Sequence, residues 1–160
     1  MRSALCLGLV SVSLLSAVPL HARAQSPRPP VRANGPLADS LRGFALRMGD
    51  ALRRLDGQAV FAFYGDTLHY VHVENGVMVP WSQLSAMMRT YFATVKSNPL
   101  SVTGEPGVTL VDRDNAVVYV AHHFGANEGQ PAHDGVWTGV LHRTANGWRV
   151  IHSHSSERRP

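Results

Sequence analysis

Two imidazoles two residues apart, His152 and His154, follow Trp148 and Val150 in a strand-like stretch over residues 148–156. Side chains along a strand alternate between faces. Unbroken alternation therefore puts Trp148, Val150, His152 and His154 on one side and Arg149, Ile151, Ser153 and Ser155 on the other. A face that begins apolar and ends in imidazoles describes a strand running from a packed core into a polar pocket. At about 7 Å apart, the two rings reach a common ligand, and a neutral imidazole can take a proton from it. The plainer use of such a pair is structural, one ring bonding a neighbouring element and closing the end of a sheet. An isolated His-x-His supplies only two of the three or four ligands a zinc site needs, so neither a metal nor another cofactor is expected.

Other candidates lie upstream. Tyr70 and His72 share a strand face behind Leu68, and a half-buried tyrosine there can donate to a ligand oxygen. His122 and His123 are adjacent, so only one can enter a pocket. His123 shares a side with Val117, Tyr119 and Ala121, and His122 with Val118, Val120 and Phe124; both sides are apolar, and the pattern does not choose. His123 is carried as the candidate. Trp148 is assigned to the core, whereas Trp81, at the start of a helix, can serve as a stacking surface for a ligand. Asp66 is either a pocket carboxylate or the residue that fixes the turn into the strand, and Glu74, Asp112 and Asp114 beside turns read as solvated. There is no Gly-x-Ser-x-Gly elbow, phosphate-binding glycine loop or dinucleotide fingerprint.

The elements that must position these residues follow from periodicity. Apolar residues from Leu37 to Leu55 recur at three- and four-residue steps and predict an amphipathic helix over 37–55, with Asp39 and Ser40 as caps. Residues 58–64 read as a short second helix ending at Gly65. Residues 67–74 alternate as a strand and stop at the turn pair Asn75-Gly76. A third helix opens at Pro80-Trp81-Ser82, with Ser82 as cap and Leu84, Met87, Met88, Tyr91, Phe92 and Val95 as its buried stripe. Beyond Asn98-Pro99 the chain reads as strands at 100–103, 108–111, 116–124, 136–143 and 148–155, with a strong hairpin signal at Asn146-Gly147 and a longer loop over 125–135. Helices first and antiparallel strands afterwards predict an α+β domain with its helices on one face of a curved sheet.

The ends read differently. Residues 1–24 have a charged start at Arg2, an apolar run, and Ala22-Arg23-Ala24 before Gln25, the layout of a secretory signal peptide, so the mature protein is expected to be secreted or periplasmic with no membrane contact after cleavage. Cys6, the only cysteine, falls in that leader, which removes disulfides and thiol chemistry from the expectation. Residues 25–36 form a proline- and arginine-rich linker, and the domain is expected over 37–157 with a mobile polar tail from Glu157. The formal charge of +4 is carried by the ends. Setting aside Arg2, Arg23, Arg28, Arg32, Arg158 and Arg159 leaves nine basic against eleven acidic residues. Lys96 is the only lysine, so a nucleic-acid partner is not indicated.

The order of elements, and the closing sequence Gly135-Val136-Trp137-Thr138-Gly139-Val140-Leu141-His142-Arg143-Thr144-Ala145-Asn146-Gly147-Trp148 followed by His152-Ser153-His154-Ser155-Ser156, resembles the nuclear transport factor 2-like, or SnoaL-like, superfamily. The resemblance is strongest to its small uncharacterised members and to the association domain of calcium/calmodulin-dependent protein kinase II. It implies a conical half-barrel with a pocket at its open end, and a homodimer paired through the sheet. Ketosteroid isomerase, dehydratases, polyketide cyclases, transport adaptors and assembly hubs share that scaffold, so the fold does not choose the activity. The kinase hub pocket is arginine-rich, whereas the corresponding strand here reads Val118-Tyr119-Val120-Ala121-His122-His123, and the hub's ligand is not carried over. Three readings follow. The first is a protein binding a small, partly apolar molecule through Tyr70, His72, Trp81, His123, His152 and His154. The second is a cofactor-independent isomerase, dehydratase or cyclase with His152 or His154 as base and Tyr70 polarising a carbonyl. The third is an oligomerisation module.

Overall fold

A computed structural model describes residues 33–65, 69–127 and 131–158. The stretch expected as a leader, most of the expected linker, and Asp66 and Leu68 lie outside the described residues. The first helix, α1 (Pro36–Arg53), starts earlier than predicted, because Gly35 turns the chain at φ 103 and Pro36 needs no hydrogen-bonded N–H in the first turn. Asp39 and Ser40 therefore lie inside the helix. Asp56 caps α2 (Gly57–Phe61), its carboxylate accepting from the Ala59 N–H at 3.0 Å. After α2 the chain docks on the sheet, where the Val150 N–H donates to the Phe63 carbonyl at 2.8 Å and the Gly65 N–H to the Val150 carbonyl at 3.1 Å.

The strand β1 (Val71–Glu74) turns at Asn75 and Gly76, both with positive φ, into β2 (Val77–Pro80), a strand not anticipated from the sequence. The third helix, α3 (Trp81–Thr94), begins directly after Pro80 without a side-chain cap, and Ser82 falls within it. Met87, expected in its buried stripe, points to solvent. The remaining strands are β3 (Leu100–Val102), β4 (Gly107–Leu110), β5 (Asn115–Phe124), β6 (His133–Thr144) and β7 (Gly147–Arg158). The sheet runs β2-β1-β7-β6-β5-β3, with β4 also paired to β5. β1 lies parallel to β7, and the other pairings between these strands are antiparallel. The sheet is thus mixed, because the early strand β1 joins the far side of the last strand instead of extending the later meander.

The inner face carries Ala116, Val118 and Val120 of β5, Leu141 of β6 and Val150 of β7, packed with Leu41, Phe44, Ala45 and Met48 of α1. Val140 of β6 pairs with His152, but its neighbour Leu141 pairs with Val150, so Ile151 has no residue opposite. This β-bulge flips the phase of β7. Val150 faces the core before it and Ser153 after it, both nearly inaccessible to solvent. The strand continues through Glu157 and Arg158, opposite Gly135 and Asp134, where a mobile tail was expected.

Candidate functional site

Between α1, α3 and the inner sheet face lies a cavity of about 260 Å³. Met48 and Leu52 of α1, Leu84 and Met88 of α3, and Leu100, Val120, Phe124 and Trp137 of the sheet make its walls apolar. Tyr64, His72, Glu74, His122, Ser155 and Glu157 bring polar groups to it. Leu52, Glu74, Met88, Phe124 and Glu157 also line an adjoining depression that reaches Asn98, Asn127 and His133. Two glycines of β6 hollow out this face. A Cβ at Gly139 would stand 2.2 Å from the Trp137 ring, and one at Gly135 would stand 2.5 Å from His122 Nε2.

A hydrogen-bonded chain runs behind the cavity. His72 Nε2 lies 2.7 Å from Glu74 Oε2, His72 Nδ1 lies 2.7 Å from Ser153 Oγ, and Ser153 Oγ lies 2.5 Å from the Tyr70 hydroxyl. Tyr70 in turn hydrogen-bonds Tyr64. With His72 neutral, elimination assigns every proton. A carboxylate only accepts, so Nε2–H donates to Glu74 and Nδ1 must accept. Ser153 spends its one proton on Nδ1 and so accepts from Tyr70, whose oxygen accepts from Tyr64. Burial pushes the Tyr70 phenol up to about 12, partly offset by its bonds to Ser153 and Tyr64. Tyr64 is pushed higher still, by burial first and then by Tyr70. Both phenols therefore stay protonated at neutral pH. Glu74 is the chain's exposed end, and Tyr64 brings the other end back to the cavity wall.

His122 enters from β5. Burial holds its imidazole below the ordinary histidine range, against a bond to the Val120 backbone and the nearby Glu157 and Glu74. Its ring meets Phe124 edge-on at 5.5 Å, and Phe124 stacks on His133, which lies 3.4 Å from Glu157. Among the described residues lining the cavity and the adjoining depression there is no lysine or arginine.

Of the residues singled out from the sequence, His72 lines the cavity, and Tyr70 stands directly behind it in the chain to Ser153. Trp81 packs against Tyr64 and Tyr70, with ring centroids 5.2 and 5.3 Å away, as part of the wall's support and not as a stacking surface. His152 and His154 are not brought to the cavity: the bulge at Ile151 turns them to the outer face, and Ser153 takes the inward position. His123 is also on the outer face, its Nδ1 2.9 Å from Asp134, while its neighbour His122 faces in. Glu74, read as solvated, is bonded to His72 at the cavity. Its place was legible, since the alternation that pairs Tyr70 with His72 continues to Glu74. Tyr64, Ser153 and Glu157 were missed; the first is beyond α2 and the other two sit past the bulge.

A helix-first α+β fold with its cavity between helices and a curved mixed sheet agrees with the family model that the sequence matches, the SnoaL-like domain, over residues 44–159. The chain belongs to the SnoaL-like domain family. No curated protein matches it. Solved structures share this SnoaL-like, or NTF2-like, fold at low identity. A candidate dehydratase of the NTF2-like family from Streptomyces avermitilis superposes with a TM-score of 0.64 at 16% identity, covering 76% of this chain and 96% of that one. A ketosteroid isomerase-like protein from Erwinia carotovora atroseptica gives 0.56 at 21%, covering 74% and 93%. A candidate calcium/calmodulin-dependent protein kinase II association domain from Xanthomonas campestris gives 0.59 at 18%, covering 79% and 94%. At these identities the likeness establishes the fold alone.

Proposed function

We propose that this SnoaL-like protein is exported and holds a small, partly apolar molecule in the cavity between α1, α3 and the sheet. The observation that carries this reading is the combination of an apolar-walled enclosure with a few polar groups, His72, Glu74, His122 and Ser155, converging on it. The helices supply burial and the sheet supplies orientation, a division suited to binding one molecule in one pose. Native mass spectrometry of the protein recovered gently from the exported fraction tests it. An added mass that disappears in Met88→Trp, which fills the cavity, is expected; an empty protein that also takes up no apolar probe contradicts it. Export itself predicts that the N-terminus of the recovered protein is Gln25. Pairing through the outer sheet face as a homodimer belongs to the same proposal, and sedimentation of the purified protein tests it.

A second reading, a cofactor-independent isomerase, dehydratase or cyclase, is favoured by one specific observation: a buried imidazole, His72, backs a cavity carboxylate, Glu74, at 2.7 Å. Glu74 would remove the proton and the chain behind it would fix its orientation, while His122, held neutral, offers a second acceptor. Deuterium uptake next to the carbonyl of ketone probes, lost in Glu74→Gln, is expected on this reading. No uptake above the rate in buffer removes it.

A further inference from the structure

We infer that the occupant of the cavity carries a protonated amine on an apolar, preferably aromatic, body, with the amine held by Glu74. The inference rests on the cavity being a binding site, and it adds the chemical class. Three features point the same way. First, a carboxylate only accepts, so His72 Nε2–H donates to Glu74, and the ring behind it is held by Ser153, itself bonded to Tyr70; the chain therefore presents a carboxylate acceptor to the cavity. Its anchored carboxylate is oriented before any ligand arrives, which lowers the entropic cost of a charge-assisted bond.

Second, no lysine or arginine lines the cavity or the adjoining depression among the described residues, while Glu74 and Glu157 both do. A ligand carboxylate or phosphate would meet these carboxylates with no lysine or arginine beside them, and the imidazoles of His72 and His133 are already turned to Glu74 and Glu157. His122 does not supply a cation, since its ring is kept neutral by burial. Third, the walls beside these acceptors are aromatic, with Phe124, Trp137 and Tyr64 able to attract a cation through their ring faces and to pack an apolar body.

Three probes of similar size and different head groups test this: phenethylamine, phenethyl alcohol and hydrocinnamate, titrated calorimetrically into the purified protein at neutral pH. The amine is expected to bind at least about tenfold more tightly than the alcohol, and the carboxylate to bind worst. Glu74→Gln should remove the preference for the amine over the alcohol. Should that variant fold poorly, Met88→Lys places a cation at the edge of the cavity and should reverse the order of amine and carboxylate. An alcohol or carboxylate that binds as well as the amine, or amine affinity indifferent to both substitutions, overturns the amine assignment and leaves the binding cavity standing. Silence from all three probes, together with an empty protein by native mass spectrometry, overturns the binding reading and the amine with it.

Discussion

The two sets of histidines on this sheet have the same chemistry and opposite placements. His72 and His122 come from strands whose alternation is unbroken where they sit, and both line the cavity. His152 and His154 belong to the one strand interrupted by an extra residue, and they face away. The comparison teaches that the register of a strand against its neighbours decides which side chains reach a site, before residue type has any say. One residue, Ile151, exchanges two imidazoles for Ser153, Ser155 and Glu157.

The chain that centres on Ser153 is the place to break the comparison hardest. Ser153→Ala keeps the register and removes only the hub, leaving the Tyr70 hydroxyl and His72 Nδ1 buried without their partner. A loss of about 2–4 kcal/mol in urea denaturation is expected. Gly135→Ala pushes a methyl group into the His122 ring, for a loss of about 1–3 kcal/mol and a displaced imidazole resonance.

How far the sequence carried the reading follows from the same physics. Helix periodicity located α1 and the span of α3, and the alternation of β5 and β6 located most of the sheet, because each rests on an unbroken repeat; the stripe of α3 is only half-buried, with Met87 exposed. The short β2 was invisible because four residues between a turn and a helix carry no period. Both faces of β5 are apolar, so hydropathy could not separate His122 from His123; only the pairing of His122 with Gly135 on the inner face does. Val150 and Ile151 in succession were the one local trace of the bulge, and consecutive apolar residues in a strand ordinarily signal burial on both faces. The polar network was partly legible, since Tyr70, His72 and Glu74 share a phase. Its centre, Ser153, was not.

Two smaller effects sharpen the contrast. The Tyr70 phenol is raised in the folded protein to about 12, from about 10 in a free chain. The unfolded chain gives up this proton first, so the contribution to stability is complete below pH about 10 and is lost as pH rises through about 12. Alkaline titration followed by tyrosinate absorbance should show Tyr64 and Tyr70 ionising only as the protein unfolds. At the other extreme, His152→Ala with His154→Ala should change the stability of the isolated subunit by no more than about 1 kcal/mol and leave probe binding unaltered, because neither ring contributes to the cavity.

The most direct test of the account is a nitrogen–proton correlation spectrum of the histidine rings, recorded with the cavity empty and then saturated with phenethylamine or phenethyl alcohol, whichever binds more tightly. The predicted result is that the His72 and His122 rings shift while those of His152 and His154 stay in place, with His72 showing its proton on Nε2. Shifts confined to His152 and His154 would contradict it and return the site to the face that simple alternation assigns.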